Sequence, residues 1–537
     1  MKLRTRISSL LLGAAFVMSL ALTSSPAAAV ELKLSEVEIA KASKIYFNIC
    51  TGCHGTLRKG ATGPSLLPAK TNEMGSSALE EIIWSGTPGG MPNWGEQGAI
   101  TRDEAVLLSR FLLLDPVAPP EISMGQIKMS WNLMVPPSKR PSKPEHNRNW
   151  QNFFGVVERD AGKIVVFDGD TKEMLARLDS GYATHILRSS ASGRYFFIIG
   201  RDGKVGMIDL FTKVPTLVAT AKPCSEARSV DTSKYKGFED KYAIVGCYWP
   251  PHMVILDGQT LEPLKVVGTR GYTYDTQEFH PEPRVAAIVS SHYDPEWVCN
   301  IKETGFIWLV DYSDIENLKI TMIEGERFLH DGGWDMHHRY FMAAANMKDT
   351  MVVIDTKTRK RVARFETGTK PHPGRGANFI DPKYGPVSST VHIGEGLVSV
   401  WGTDPEKNPN SAWKVVRSIE LEAGAGGLFI KTHPKSKNLW VDFTLNTDLV
   451  THQSVGVLDI NNLDKPAEMI QLTKDPKARV VHMEYNKAGD EVWISVWGKE
   501  GEIVIFDDKT RKIKKRIKGL NTPTGKFNVF NTMNDIY

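Results

Sequence analysis

Cysteine, membrane-length apolar runs and surplus charge are all scarce in this 537-residue sequence, and each shortage narrows what the chain can be. Only one C-x-x-C is present among five cysteines, so half of a four-thiolate zinc site is missing. The longest apolar run, Leu10 to Leu22, falls short of the roughly 20 residues that a membrane span needs. Lysine and arginine number 66 against 62 aspartate and glutamate, a formal charge of +4. Three of those bases, Lys2, Arg4 and Arg6, precede the apolar run, and 4 − 3 leaves about +1 for everything after it. Near-neutrality excludes an electrostatic case for nucleic acid or an anionic membrane as partner.

The three bases, the short apolar run and Ala27-Ala28-Ala29 together read as an export signal over 1–29, cleaved near Ala29. The mature chain is then expected in the periplasm. Its most informative stretch is Cys50-Thr51-Gly52-Cys53-His54, in which two thiols three residues apart can be alkylated by haem vinyl groups while the histidine ligates the iron. A covalent haem c is expected there, with Cys50 and Cys53 as attachment points and His54 as axial ligand. Cys224, Cys247 and Cys299 are widely separated and read as buried thiols, with a Cys224–Cys247 bridge open to an exported chain.

The surroundings of the motif suit a small helical cytochrome over 30–115. Ser35 with Glu38 and Thr101 with Glu104 form S-x-x-E-type capping boxes that open two helices, one running into Cys50 and one toward Leu114. Between them, the Pro64 carbonyl is placed to accept from the second nitrogen of His54, and Gly89-Gly90-Met91-Pro92 presents a thioether on a tight loop. Met91 is the expected sixth ligand and Met74 its competitor; a His/Met pair raises the potential, as an electron-accepting haem requires. From 116 to 149 the chain is proline-rich and aperiodic and reads as a linker.

The remainder, 150–537, carries a repeat. Short β-branched runs end in Asp168, Asp209, Asp257, Asp311, Asp355, Asp404, Asp459 and Asp507, at steps of 41, 48, 54, 44, 49, 55 and 48. Turn residues and often a second strand follow each aspartate, so one repeat is a small antiparallel sheet and eight predict an eight-bladed β-propeller. The sixth repeat is the weakest, which leaves seven blades open. The expected fold class is therefore α+β multidomain, a small all-α cytochrome followed by an all-β eight-bladed propeller. His185, His330 and His372 fall in loops rather than strands, the last two among Gly and Pro that stiffen the backbone.

At the level of long motifs the chain resembles the cytochrome cd1 nitrite reductases. The likeness rests on His280-Pro281-Glu282-Pro283-Arg284-Val285-Ala286-Ala287-Ile288, His330 to Trp334, Pro371 to Asn378, Lys431-Thr432-His433-Pro434 and Thr522 to Asn528, and covers essentially the whole mature sequence. It implies a noncovalent haem d1 in the propeller, with His185 as proximal ligand and His330 and His372 as the distal pair. It also implies that Arg188, Arg201, Arg228, Tyr248, Arg375 and Thr524 surround the macrocycle and its carboxylates, guanidinium being the side chain that pairs with carboxylate bidentately. The implied reaction is the reduction of nitrite to nitric oxide and water by one electron and two protons, the imidazoles supplying both protons. A small periplasmic cytochrome c or cupredoxin donor and a homodimer are implied as well.

The sequence departs from the family pattern in places. Residues 30–45 contain no tyrosine to reach the d1 iron from an amino-terminal arm and no histidine for a bis-histidine haem c, and Tyr46 is expected to pack on the haem c edge. His482 stands where the pattern has glutamine. Two other readings carry the same architecture: a dehydrogenase that finishes haem d1, and a non-catalytic electron-transfer or binding propeller.

Overall fold

The computed structural model describes residues 34–60, 63–87, 91–95 and 98–537. The export signal expected over 1–29 and Gly89 and Gly90 of the methionine loop lie outside the described residues.

Both capping boxes form. Ser35 Oγ accepts from the Glu38 N–H and Glu38 accepts in return from the Ser35 N–H, opening α1 (Glu36–Ile45). The backbone stays helical beyond it, as a π turn over Tyr46–Cys50 and an α turn over Thr51–His54, so the attachment motif lies on the same helical run. A helix not anticipated from the sequence, α2 (Pro68–Ser85), follows; it bends at Gly75, whose φ of 76° interrupts the periodicity. The Thr101–Glu104 box then opens α3 (Arg102–Phe111). Tyr46, Leu79, Ile83, Leu108 and Phe111 close one apolar core among these helices.

The segment 116–149 is more than a linker. Ser123 and Gln126 cap α4 (Met124–Ser130), whose Ile127 packs into the propeller core beside Val218. Asn132–Leu133 then pairs with Thr216–Ala221 as a fifth strand on one blade, and the Trp131 indole N–H donates to the Thr260 carbonyl at 2.9 Å. Proline masked the seven-residue helix; its one sequence signal was the Ser123-x-x-Gln126 box.

Among the described residues the propeller has eight radial antiparallel sheets, seven of four strands and one of five. Their innermost strands are β1 (Thr184–Ser189), β2 (Glu226–Thr232), β3 (Val285–Ser290), β4 (Leu329–Trp334), β5 (Pro371–Asp381), β6 (Ile430–Lys431), β7 (Arg479–Tyr485) and β8 (Pro523–Asn528). Each repeated aspartate ends, or closely follows, the third strand of its blade. Its Oδ1 accepts a backbone N–H two or three residues on, fixing the hairpin to the outermost strand. Asp404 does so from two residues past its strand, which is why its repeat is weak in sequence and whole in structure. Outermost strands such as Lys360–Glu366 are charged and largely exposed, which blunts an edge that would otherwise pair with another chain.

The ring closes through β8, which pairs with Phe153–Glu158 and so gives the first blade its innermost strand from the chain's last one. At this seam the Phe154 ring stacks on Trp493 of the neighbouring blade, centroids 4.0 Å apart and 10° from parallel, both fully buried. Phe154→Ala is therefore expected to cost about 3–5 kcal/mol and to lower the thermal midpoint of the propeller. The control Val214→Ala, at a residue 54% exposed, should stay within about 0.5 kcal/mol of the parent. Equal midpoints for the two variants would remove the stack from the closure.

Candidate haem sites

His185, His330 and His372 lie on innermost strands and not in the loops expected from the sequence, because seven of the eight innermost strands break register. At these breaks His185, Arg228, Ala286, Asp331, Arg375, His482 and Thr524 line the central cavity. On β1, Thr184 pairs with Gly200 and Ile186 with Ile199, leaving His185 as the extra residue. On β2, Ser229 pairs with Gly246 and Ala227 with Cys247, leaving Arg228. β3 leaves Ala286, and β4 gains one residue between Leu329 and Gly332, where His330 and Asp331 lie. β5 makes the widest excursion, with Pro373–Gly376 outside pairing and Gly374 and Gly376 at φ of 62° and 80°. β7 leaves His482, at a φ of 56°, and β8 gains a residue between Pro523 and Lys526, where Thr524 lies. A bulge places one side chain where the alternation of the strand would have sent it elsewhere.

The cavity so lined has a volume of about 350 Å³, and His185, Arg188, Arg228, His372, Arg375 and Thr524 all face it. His185 is half-buried, and its removal from solvent, with the Arg228 and Arg201 charges, holds its pKa far below the ordinary value. The ring is neutral and has a lone pair to give a metal. Arg188 is buried with Nε lacking any partner, and Arg375 spends Nη1 and Nη2 on the carbonyls of Gly332 and Ile288, at 3.0 and 3.3 Å. Tyr248 lies one layer back, its ring 5.6 Å from the Arg228 guanidinium carbon and 4.9 Å from that of Arg284. An orphaned guanidinium N–H, further cations and a neutral imidazole around one cavity fit a carboxylate-rich macrocycle with an iron.

Arg201 lies elsewhere. Its guanidinium is tied to Glu226, with Nε 2.8 Å from Oε1, and rests against Gly52 of the attachment motif, leaving no room for a Cβ there. It belongs to the contact between helices and propeller rather than to the cavity wall. No spacing in the sequence distinguishes such an arginine from Arg188 or Arg228.

His330 and His372 come together, ring centroids 5.0 Å apart, although 42 residues separate them (372 − 330). The carboxylate between them is Asp331, with Oδ1 3.0 Å from His330 Nδ1 and Oδ2 3.5 Å from His372 Nε2. Asp331 falls inside the His330 to Trp334 motif, and no spacing in the sequence marks it for this place. His372 Nδ1 donates to the Leu428 carbonyl at 2.7 Å, which fixes the tautomer and leaves Nε2 as the atom that exchanges its proton. Burial pushes His330 down to about 3 against the pull of Asp331. Burial would raise Asp331, but His330, His372 and Arg228 together hold it well below the carboxylate range. His482 is half-buried in the wall, depressed by its removal from solvent and by Lys526, whose Nζ donates to the His482 carbonyl at 2.6 Å. Lys431 and Asp331 also line the cavity, with Lys526 buried behind His482, and no spacing in the sequence marks these three for the site.

In the helical unit, Cys50 and Cys53 are free, half-buried thiols, and burial lifts Cys50 to about 12. His54 is 7% exposed and its Nδ1 donates to the Pro64 carbonyl at 2.8 Å, leaving Nε2 for a metal. Gly63 makes that approach possible: a Cβ there would stand 2.9 Å from His54 Cε1. Met91 packs on the helical core, and its carbonyl accepts from the Thr87 N–H at 3.0 Å; Met74 is 46% exposed beside the Gly75 bend. Free thiols, an oriented imidazole and a partly buried thioether fit haem c. Tyr46 donates to the Gly55 carbonyl at 2.6 Å inside this core, far in role from an iron ligand in the propeller. Cys224 and Cys247 are bridged, while Cys299 is a buried free thiol.

Comparison with known proteins agrees with this geometry. The family model described as "Cytochrome D1 heme domain" matches residues 148–532, and that described as "Cytochrome C oxidase, cbb3-type, subunit III" matches 37–112. A nitrite reductase from Stutzerimonas stutzeri is 50% identical over 96% of this chain and 97% of its own length. A dihydro-haem d1 dehydrogenase from Pseudomonas aeruginosa is 26% identical over 93% of this chain and 95% of its own. The solved structure of the dihydro-haem d1 dehydrogenase NirN in complex with DHE superposes with a TM-score of 0.71 at 26% identity, covering 92% of this chain and 99% of that one. With the cytochrome d1 haem domain model matching 148–532 and a half-identical relative aligned over nearly the full length of both chains, the chain belongs to the cytochrome d1 haem domain family.

Proposed function

We propose that the protein is a periplasmic dissimilatory nitrite reductase, which takes nitrite, one electron and two protons to nitric oxide and water. The observation that carries the reading is the pair of imidazoles, His330 and His372, held on one carboxylate over the cavity that His185 faces. The 50% identity to a nitrite reductase supports it, against 26% to the dehydrogenase. Haem c, when bound at Cys50, Cys53, His54 and Met91, supplies single electrons, and haem d1, when bound on His185, supplies the iron at which nitrite is reduced.

Arg188, Arg228 and Arg375 offer the positive charge that holds carboxylates, with Tyr248 and Thr524 at the margin. Nitrite brings a negative charge beside His330, which burial has discharged, and a nearby negative charge raises the affinity of that ring for a proton. His372 then carries its mobile proton on Nε2, 3.5 Å from Asp331 Oδ2, while the Leu428 carbonyl keeps Nδ1 occupied. His330 holds the second beside Asp331 Oδ1. Among the described residues no helix is long and apolar enough to cross a membrane. The electron donor we propose is a small periplasmic cytochrome c or cupredoxin. A homodimer is the working form we expect.

An optical spectrum of protein made in a denitrifying host tests the reading: d1 absorption with nitrite turnover is expected, and d1 absorption with oxidation of a dihydro precursor in its place would assign the dehydrogenase. Cys50→Ala with Cys53→Ala should remove all covalent haem, seen as loss of haem stain after denaturing electrophoresis. His330→Ala and His372→Ala should each keep d1 yet slow single-turnover nitric oxide formation at least about tenfold at neutral pH. The double variant should cost less than the product of the singles, because Asp331 joins the two into one unit. His185→Ala should instead lose d1. Full turnover by either distal single variant with normal d1 content overturns the assignment of the proton donors.

A further inference from the structure

We infer that Glu282 clasps the haem-attachment segment onto the propeller and is a positioning residue for electron transfer between the two haem sites; the electron-transfer part rests on the function proposed above. Glu282 lies in the loop leading into β3, 225 residues from its partner in the helical unit. Its Oε1 accepts the Leu57 N–H at 3.0 Å, and the carboxylate takes the Thr56 N–H as well. Thr56 and Leu57 follow directly on His54 and Gly55, and a Cβ at Gly55 would stand 3.4 Å from Glu282 Oε2 and 4.0 Å from Trp249. The chain that carries the haem ligand therefore ends on this carboxylate.

The same segment touches the propeller a second time, where Gly52 rests on the Arg201–Glu226 pair. That pair is complete in itself, each partner neutralising the other. Glu282 differs: it is 7% exposed, and its charge is met by two backbone amides, since Arg284 is spent on Glu303 at 2.7 Å. Two orphan N–H groups on one buried carboxylate make a directional contact, and truncating the acceptor leaves both amides buried and unsatisfied.

The groups around Glu282 determine how the clasp answers pH. Glu303 and Arg284 face it from the propeller, His280 precedes it and accepts the Glu282 N–H on Nδ1 at 3.2 Å, Tyr46 faces it from the helical core, and Lys59 and Arg327 flank His280. Burial raises the carboxyl to about 7, with Glu303 adding to the rise and the two amides and Arg284 opposing it. Because the docked value exceeds the ordinary 4.5, the docked state holds the proton more tightly. The proton's contribution to docking is complete below about 4.5 and is lost as pH rises through about 7.

The test compares the holoenzyme with Glu282→Gln and Glu282→Ala. One readout is amide hydrogen exchange of the peptide carrying Thr56 and Leu57, corrected for the intrinsic pH dependence of exchange. The other is the rate of interhaem transfer after rapid reduction of haem c. Glu282→Ala should speed exchange and slow transfer at least about tenfold at every pH, since positioning is lost. Glu282→Gln keeps a neutral acceptor, so both readouts should be flat between about pH 6 and 8, where in the parent protection and rate fall with rising pH. Parental exchange and transfer in Glu282→Ala overturn the clasp, and a parental pH profile in Glu282→Gln overturns Glu282 as the titrating group. Failure of the reductase reading would show separately, as a parent without d1 absorption or nitrite turnover, and the exchange readout would still decide the clasp.

Discussion

Register failure on the innermost strands is the constraint from which the rest of the site follows. A propeller's inner strand is paired on one edge only, and the other edge looks into the channel. A regular strand would send successive side chains alternately toward the two neighbouring blades, where Trp297, Trp334 and Trp440 already fill the space. An extra residue is the cheapest way to turn one side chain inward without unravelling the blade, because the outer three strands keep their pairing. His185, Arg228 and His482 are each such a residue, and Asp331 and Thr524 lie within two others. The cavity is built by an irregularity repeated on seven of the eight blades, the exception being β6, which pairs regularly.

That construction concentrates charge where solvent is excluded. Arg188 is pushed down to about 10 by burial and by Arg375, and burial depresses Lys526 strongly, although Val481, His482 and Thr524 carbonyls surround its ammonium. Cations held at such cost are satisfied by anions, whether carboxylates of a macrocycle or a small anionic substrate. His185 and His330 respond in the opposite sense: burial and the field that welcomes an anion keep these two rings neutral until one arrives. Binding of the anion and uptake of the proton are thereby linked without any moving part.

Much of this was legible in the residues. The eight aspartates announced the blades because each performs a local task, accepting a turn amide, that needs the same residue every time. Cys50, Cys53 and His54 were legible for the same reason, and the His54–Pro64 contact followed from the need to orient a ligating imidazole. The bulges were not, since an extra residue is defined only against a partner strand. Arg201 shows the limit most plainly: its pairing with Glu226 depends on two blades meeting a third element, and nothing nearby in the chain records that. The α4 helix was hidden by the prolines on either side of it, while its capping residues were in view.

The two haem sites are also joined by charge. From Glu282, which touches the attachment segment, the neighbours run to the Arg284–Glu303 pair, on to Lys302, and from Lys302 to Asp331 and His330. Lys302 is buried, and burial with Arg284 pushes it down to about 7, so it sits near the balance between its two forms. Unit charges in a poorly polarisable interior act over distances at which water would silence them. Buried charged groups thus stand one beside the next from the segment that carries His54 to the carboxylate between the two imidazoles. A reaction that consumes electrons and protons together gains from such an arrangement, because the groups that position the electron's entry and those that hold the protons share one electrostatic interior.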